Sequence, residues 1–322
     1  MTEPYDIQPP TDDRPLALIE ARAGESPFGI EQAQIEQVFR RHGAILLRGF
    51  DYDVAGFRRF AERLCRTSVF NESPNRQLLD ADANIQTVDR GVDAFPLHPE
   101  LSREPWRPDA CLFACFDPPG VDGETTICDG TTIVERMPPA LVEAMEGRRL
   151  LYIQPATEEV LQYWLGTANP PDSMLAATPP QCPYWFRRAG GKIVRGFSRP
   201  LLERPMFDQR LAFANFLLFA RDYLRIPNFP CLDDGQPVPE QWIEAARASA
   251  SAVTYAHAWQ AGDLIVIDNS RFMHGRRAIT DPRARRIASY FGYVGFAPDR
   301  PEEPVDPIWR REQFVPPQRQ RR

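Results

Sequence analysis

Apolar positions along the chain switch between helical and strand periods. Ile30, Ile35 and Val38 stand among Gln, Glu and Arg over residues 30–41, the spacing of a short amphipathic helix. Gly43 ends it, and Ala44-Ile45-Leu46-Leu47-Arg48-Gly49-Phe50 then predicts a buried strand. Asp53 can cap a second helix that carries Phe57, Phe60 and Leu64. Residues 70–97 lack a period and read as a loop. The apolar run over 110–116 predicts a second strand, and 124–129 a third after turn residues Pro118-Pro119-Gly120 and Asp122-Gly123. Helices are expected over 139–147, over 209–224 with Leu211, Phe213, Phe216, Leu217, Phe219 and Leu224, and from Pro239 to Ala248. Strands return at 253–259, 263–268 and 287–296.

Helices at the start, short strands on both sides of a long insertion and no βαβ rhythm predict a mostly β fold with flanking helices. A β-sandwich or double-stranded β-helix (jelly roll) fits this order. No linker divides the chain, so residues 1–322 read as one domain. Within it, 1–27 is a polar, proline-rich stretch expected to be an extended arm. Residues 154–209 are rich in Pro, Trp, Tyr and Arg and form a helical or irregular insertion, expected to be a lid. Residues 310–322 read as a polar tail.

Composition narrows the class. A net charge of −6 argues against nucleic-acid binding. The six cysteines include no Cys-x-x-Cys pair, so a thiolate zinc site is poorly supported. Neither a secretory signal nor an apolar membrane span is evident, and a cytoplasmic location is the simplest expectation.

Only four histidines are present: His42, His98, His257 and His274. His98-Pro99-Glu100 places a His and a carboxylate two apart, positions that share one face of a strand. Pro99 cannot donate to a ladder, so this stretch should be an edge strand or a strand end. With His274 the pair makes a two-His, one-carboxylate set, which suits non-haem Fe(II) and leaves open coordination positions. His257, between alanines, reads as a core or pocket-wall residue, and His42 as a helix-end residue. Asp268 and Asn269 read as turn residues. Arg187, Arg188, Lys192, Arg195 and Arg199 read first as a solvated basic loop, and second as a means of recognising an acidic group or carrier protein.

Gly262-Asp263 followed by Asp268-Asn269, then His274, then Arg285-Arg286-Ile287, resembles the taurine dioxygenase and clavaminate synthase group of Fe(II)/2-oxoglutarate-dependent oxygenases. Gly123-Glu124-Thr125 and the early strand Ala44 to Phe50 resemble it too. The likeness runs from about residue 40 to 296, with 154–209 poorly covered. It implies that His98, Glu100 and His274 ligate iron. It further implies that Arg286 clamps the distal carboxylate of 2-oxoglutarate with help from Thr125. A keto-acid chelate leaves one carboxylate in a dry pocket, for which a bidentate Arg is the natural partner. By strand parity Arg286, Ala288 and Tyr290 share one face, and Arg285, Ile287 and Ser289 the other; the resemblance selects Arg286. The ligand Glu replaces the group's commoner Asp. Tyr290 stands where taurine dioxygenase has a sulfonate-binding Arg, which disfavours a sulfonate substrate.

The reading implied is an oxygenase using Fe(II), 2-oxoglutarate and O2, releasing succinate and CO2 while hydroxylating an unactivated C–H. Glu100 is retained, unlike in related halogenases. Desaturation or cyclisation is the near alternative, and a non-catalytic jelly-roll binder of a metal or small acid is the rival of another class. The substrate is expected to be a small amino-acid-like or natural-product molecule, free or carrier-bound, touching Asn75, Arg76, Gln86, Arg195 and Tyr290.

Overall fold

The strand expected at residue 44 forms, and it recruits part of the stretch taken as a free arm. β1 (Ala17–Glu20) lies parallel to β2 (Ala44–Arg48), with α1 (Gln32–His42) crossing between them. Leu16, Ala17 and Ile19 are fully buried, so this part of 1–27 is an edge strand. The computed structural model describes residues 5–22, 24–281, 285–312 and 314–317.

The large sheet has eight strands. Beside β2 runs β14 (Leu264–Asp268), then β7 (Ala110–Asp117), β16 (Arg286–Val294), β5 (Ile85–Thr87) and β4 (Leu78–Asp80), while β3 (Cys65–Ser68) also pairs with β16. Its two faces follow strand parity. Ile45, Leu47, Leu112, Val266, Ala288 and Tyr290 pack with α1 and α2 (Val54–Leu64). Asp53 caps α2 by accepting from the Gly56 N–H at 2.7 Å. Leu46, Cys111, Phe113, Ile265, Ile287 and Phe291 face the other way, into the larger core cluster.

That second face meets a four-stranded sheet in the order β13 (Tyr255–His257), β8 (Thr125–Asp129), β15 (Phe272–Arg276), β6 (Phe95–His98). Helices α3 (Gly130–Arg136), α4 (Pro139–Met145), α7 (Leu217–Asp222) and α8 (Glu240–Val253) flank it. The helix expected over 209–224 is thus confined to its last part. Asn215 accepts from the Leu217 N–H and starts it, while Phe213 is buried in the loop before it.

Residues 154–209 are regular rather than irregular. They hold two strands of a third, four-stranded sheet, β10 (Trp185–Ala189) and β11 (Lys192–Pro200), with α5 (Glu158–Leu165) and α6 (Asp172–Ala176); β9 (Arg149–Pro155), which runs into the segment, and β12 (Cys231–Leu232) complete the sheet. Trp164, Tyr184, Phe186 and Phe197, the aromatics that suggested a lid, are core residues. Arg195 and Arg199 are also buried, so two of the five cations read as a solvated loop are not solvated. These inward arginines of β11 hide its strand period.

The expected tail begins packed. Arg310 donates to Asp109 at 2.8 and 2.9 Å, and Phe314 lies 5.5 Å from Trp106, centroid to centroid. Its final residues, Arg319 to Arg322, lie outside the described residues. Among the described residues no helix is long and apolar enough to cross a membrane.

Candidate metal centre

β6 is the edge strand of its sheet and ends at His98, as Pro99 requires. His274 stands directly opposite His98 in the β15–β6 register. Glu100 lies beyond the strand, so strand period is not what brings it in. Asn269 does that. Its Oδ1 accepts from the Glu100 N–H at 2.7 Å, and its Nδ2 donates to the Glu100 and Pro108 carbonyls, each at 3.0 Å. One ligating atom from each of His98, Glu100 and His274 then lies within 4.8 Å of the others. The rings of His98 and His274 are 4.7 Å apart, with Phe113 of β7 5.0 Å from His274 and Phe219 of α7 4.6 Å from His98.

The donor set fits a divalent metal. The His98 Nδ1–H donates to the Pro96 carbonyl at 2.9 Å, which leaves Nε2 with its lone pair. Burial and the neighbouring His274 push His98 down to about 4, so its imidazole stays neutral, the ligating form. Burial alone would raise the Glu100 carboxyl, but Arg76 and the two histidines override it and hold it at about 2. A buried carboxylate, 3% exposed, therefore sits 3.6 Å from His274 Nε2. The imidazole ring of His274 carries a further buried nitrogen, Nδ1, with no hydrogen-bond partner among the described residues.

Asn269 gives a direct test of how Glu100 is placed. Asn269→Ala removes three hydrogen bonds at fully buried backbone groups, each worth about 1 kcal/mol net and more when the orphaned partner stays dry. We expect a loss of about 3 kcal/mol in urea unfolding, together with weaker Co(II) binding. Unchanged Co(II) affinity would show that the Glu100 turn holds without it.

The three residues open on a cavity of about 430 Å³. Its walls include Asn75, Arg76, Thr125, Arg103, Arg276 and Arg285, and an apolar side made by Phe95, Phe216, Phe219, Tyr223 and Leu224. Thr125, on β8, accepts from Trp259 Nε1 at 2.9 Å. No residue of 154–209, the stretch expected to be a lid, is among the residues that line it. Its walls include residues 71–76 and residues of the α7 region.

Arg286 is corrected by the structure. Strand parity split the residues as expected, but the face toward the cavity is the other one. Arg286 is exposed, bonded to Asp117 at 2.9 Å and stacked over Phe116. Arg285, on the Ile287 and Ser289 side, lines the cavity; burial, with Arg276 nearby, pushes its guanidinium down to about 10. Its buried Nε has no hydrogen-bond partner among the described residues. The same reversal removes Tyr290, which packs on the far face with α1 and α2.

Of the other expected contacts, Asn75 and Arg76 line the cavity, whereas Gln86 and Arg195 do not. Gln86 is spent on the Asn71 backbone, at 3.2 and 2.9 Å. Arg195 holds Tyr184 and Glu104, the latter a cavity residue. His257 is a fully buried core residue bonded to Asp263 at 3.0 Å. Sequence reasoning missed Asn71, which donates to Glu100 Oε1 at 2.6 Å, and the aromatic wall. Asn71 carried no signal, being one polar residue in an aperiodic stretch.

Residues 12–290 match the family described as taurine catabolism dioxygenase TauD, TfdA. A clavaminate synthase-like protein of Arabidopsis thaliana is 24% identical over 310 residues, covering 89% of this chain and 92% of that protein. The dapdiamide synthesis protein DdaC of Enterobacter agglomerans is 20% identical over 319 residues, covering 89% and 95%. Among solved structures, PvcB of Pseudomonas aeruginosa, an Fe, alpha-ketoglutarate dependent oxygenase from an isonitrile synthetic pathway, superposes with a TM-score of 0.57 at 18% identity, over 90% of this chain and 92% of its own.

Proposed function

The chain belongs to the taurine catabolism dioxygenase (TauD, TfdA) family, and from that premise we propose its reaction, its substrate class and the residues that carry them. The family makes it a non-haem iron, 2-oxoglutarate-dependent dioxygenase using O2, which removes the ground for a non-catalytic binder. Bound iron and 2-oxoglutarate supply the oxidation of a C–H bond, with the keto acid leaving as succinate and CO2. The packing of the large sheet on β13-β8-β15-β6 supports reading the fold as a double-stranded β-helix.

In this proposal His98 Nε2, a Glu100 oxygen and a His274 nitrogen hold the iron. Arg285 takes the distal carboxylate of 2-oxoglutarate, with Thr125 beside it. The observation that carries the reading is their convergence: the three clustered donors and the unpartnered Nε of Arg285 belong to one cavity. The cavity walls exclude water and orient the substrate.

The apolar wall starts at His98 itself, through Phe219 and Phe95, so the carbon brought to the centre belongs to an apolar part of the substrate. Polar groups at Asn75 and Arg103 suit the ends of an amino-acid-like molecule. DdaC and PvcB are named for natural-product pathways, which supports a substrate of that kind. Hydroxylation is the expected outcome. The test is a panel of amino acids and their derivatives, scored by stimulated succinate release and by product mass. A product heavier by one oxygen atom is expected. A product lighter by two hydrogens would replace hydroxylation with desaturation, and stimulation by sulfonates alone would overturn the substrate class.

A further inference from the structure

Glu100 has one more rotatable bond than the aspartate common in this family, and a buried carboxylate on a longer arm needs something to fix it. Two side chains from one short segment do so. Asn71 Nδ2 donates to Oε1 at 2.6 Å, and Arg76 Nη2 donates to Oε2 at 3.3 Å. Both donors are themselves held. Gln86 brackets the Asn71 backbone, accepting from its N–H and donating to its carbonyl. Arg76 Nη1 donates to Ser289 Oγ at 2.9 Å, and Ser289 Oγ donates to the Gln86 carbonyl at 3.1 Å. The network is therefore a closed ring through Glu100, Asn71, Gln86, Ser289 and Arg76. It ties the carboxylate to β5 and β16 of the large sheet, whereas His98 and His274 stand on the small one.

We propose that Asn71 and Arg76 are positioning residues that hold Glu100 so that Oε1 is occupied by Asn71 and Oε2, the oxygen facing His274, is the one presented to the metal. The proposal rests on the reading of His98, Glu100 and His274 as the metal site. A ring of fixed donors keeps the carboxylate oriented without help from the metal, and outer partners of this type set ligand geometry. Oε1 is taken by a bond of 2.6 Å, whereas Oε2 meets Arg76 only at 3.3 Å and lies 3.6 Å from His274 Nε2, so Oε2 is the oxygen left for the metal. The positions between the two donors, Glu72, Ser73, Pro74 and Asn75, all line the cavity. The segment that orients the ligand is thus also part of the substrate wall.

Arg76 is a poor first probe, because its charge repels a metal while its geometry favours one. Asn71 is neutral and isolates positioning. Co(II) is titrated into the full-length chain, its Asn71→Ala variant, Glu100→Asp, and the double variant, following affinity by calorimetry and coordination by the visible absorption bands. Asn71→Ala should weaken Co(II) binding by about 10- to 100-fold and change the band pattern. An aspartate at 100 is too short to keep the Asn71 bond, so adding Asn71→Ala to Glu100→Asp should cost less than about twofold. An equal loss in both backgrounds would mean that Asn71 merely supports the loop, and would overturn the proposal, as would unchanged affinity and bands in Asn71→Ala alone. Asn71→Ser carries the same cycle should the alanine variant not fold. Failure of the unaltered chain to bind Co(II) would instead sink the metal-site reading, and this inference with it.

Discussion

Arg285→Ala is expected to weaken 2-oxoglutarate binding by roughly 10- to 150-fold, while Arg286→Ala leaves it within about twofold. The first figure follows from losing a charge-assisted carboxylate partner in a dry pocket, about 1.5–3 kcal/mol. The second follows from position, since Arg286 and Asp117 are 57% and 58% exposed along their side chains, and such pairs contribute little. A further consequence separates the two. Burial disfavours the charged form of Arg285, and the guanidinium of Arg276 adds to it. Without co-substrate the site therefore holds an ill-compensated charge, and Arg285→Ala should not lower the stability of the ligand-free protein. Calorimetric titration of 2-oxoglutarate into Co(II)-loaded protein, without oxygen, reads the affinities, and thermal melting reads the stability. A larger loss for Arg286→Ala would return the clamp to the exposed face. With Arg285 as the proposed clamp, the argument against a sulfonate keeps its direction. Four positions after Arg285 stands Ser289, which is bonded to Arg76 and is no cation.

What could be read in advance depended on whether a residue's task leaves a mark on its neighbours in the chain. Ala44–Arg48 and Ala110–Asp117 are buried on both faces, so unbroken apolar runs announced them. His98 and His274 were findable because histidines are few and Pro99 forces a strand end. β11 was not, because Arg195 and Arg199 occupy inward positions whose polarity breaks the apolar period. Arg285 against Arg286 turned on which face of β16 meets the small sheet. Parity divides a strand into two sets but cannot say which set is inside, and Ile287 and Phe291 are as apolar as Ala288 and Tyr290. Asn71 and Asn269 were invisible for another reason. Their partner Glu100 is 29 and 169 residues away, and no local pattern encodes a bond across such a separation.

Glu100→Ala should combine loss of metal binding with a drop of about 3 kcal/mol in the stability of the metal-free protein, whereas His98→Ala should lose the metal at a cost of only about 1 kcal/mol. The two differ in what each leaves behind. His98 is neutral, and its removal orphans one carbonyl, that of Pro96, near the cavity. Removing Glu100 orphans the Asn71 amide and leaves the Arg76 guanidinium, 9% exposed, with Ser289 and the Phe291 ring as its remaining contacts. Breaking one partner out of a buried charge pair costs about 3–5 kcal/mol, and the 3.3 Å reach of Arg76 together with its Ser289 bond places this case at the low end. The sign of the pH dependence is fixed by the depressed carboxyl. In the unfolded chain Glu100 titrates near its ordinary 4.5, and in the folded one near about 2. Its contribution is therefore complete above 4.5 and fades as pH falls toward about 2. Urea unfolding of the metal-free proteins should show the gap between the parent chain and Glu100→Ala at full size at neutral pH and shrinking below 4.5. A gap that is absent at neutral pH, or that widens in acid, would mean that the Arg76 and Asn71 bonds to Glu100 do not persist without metal.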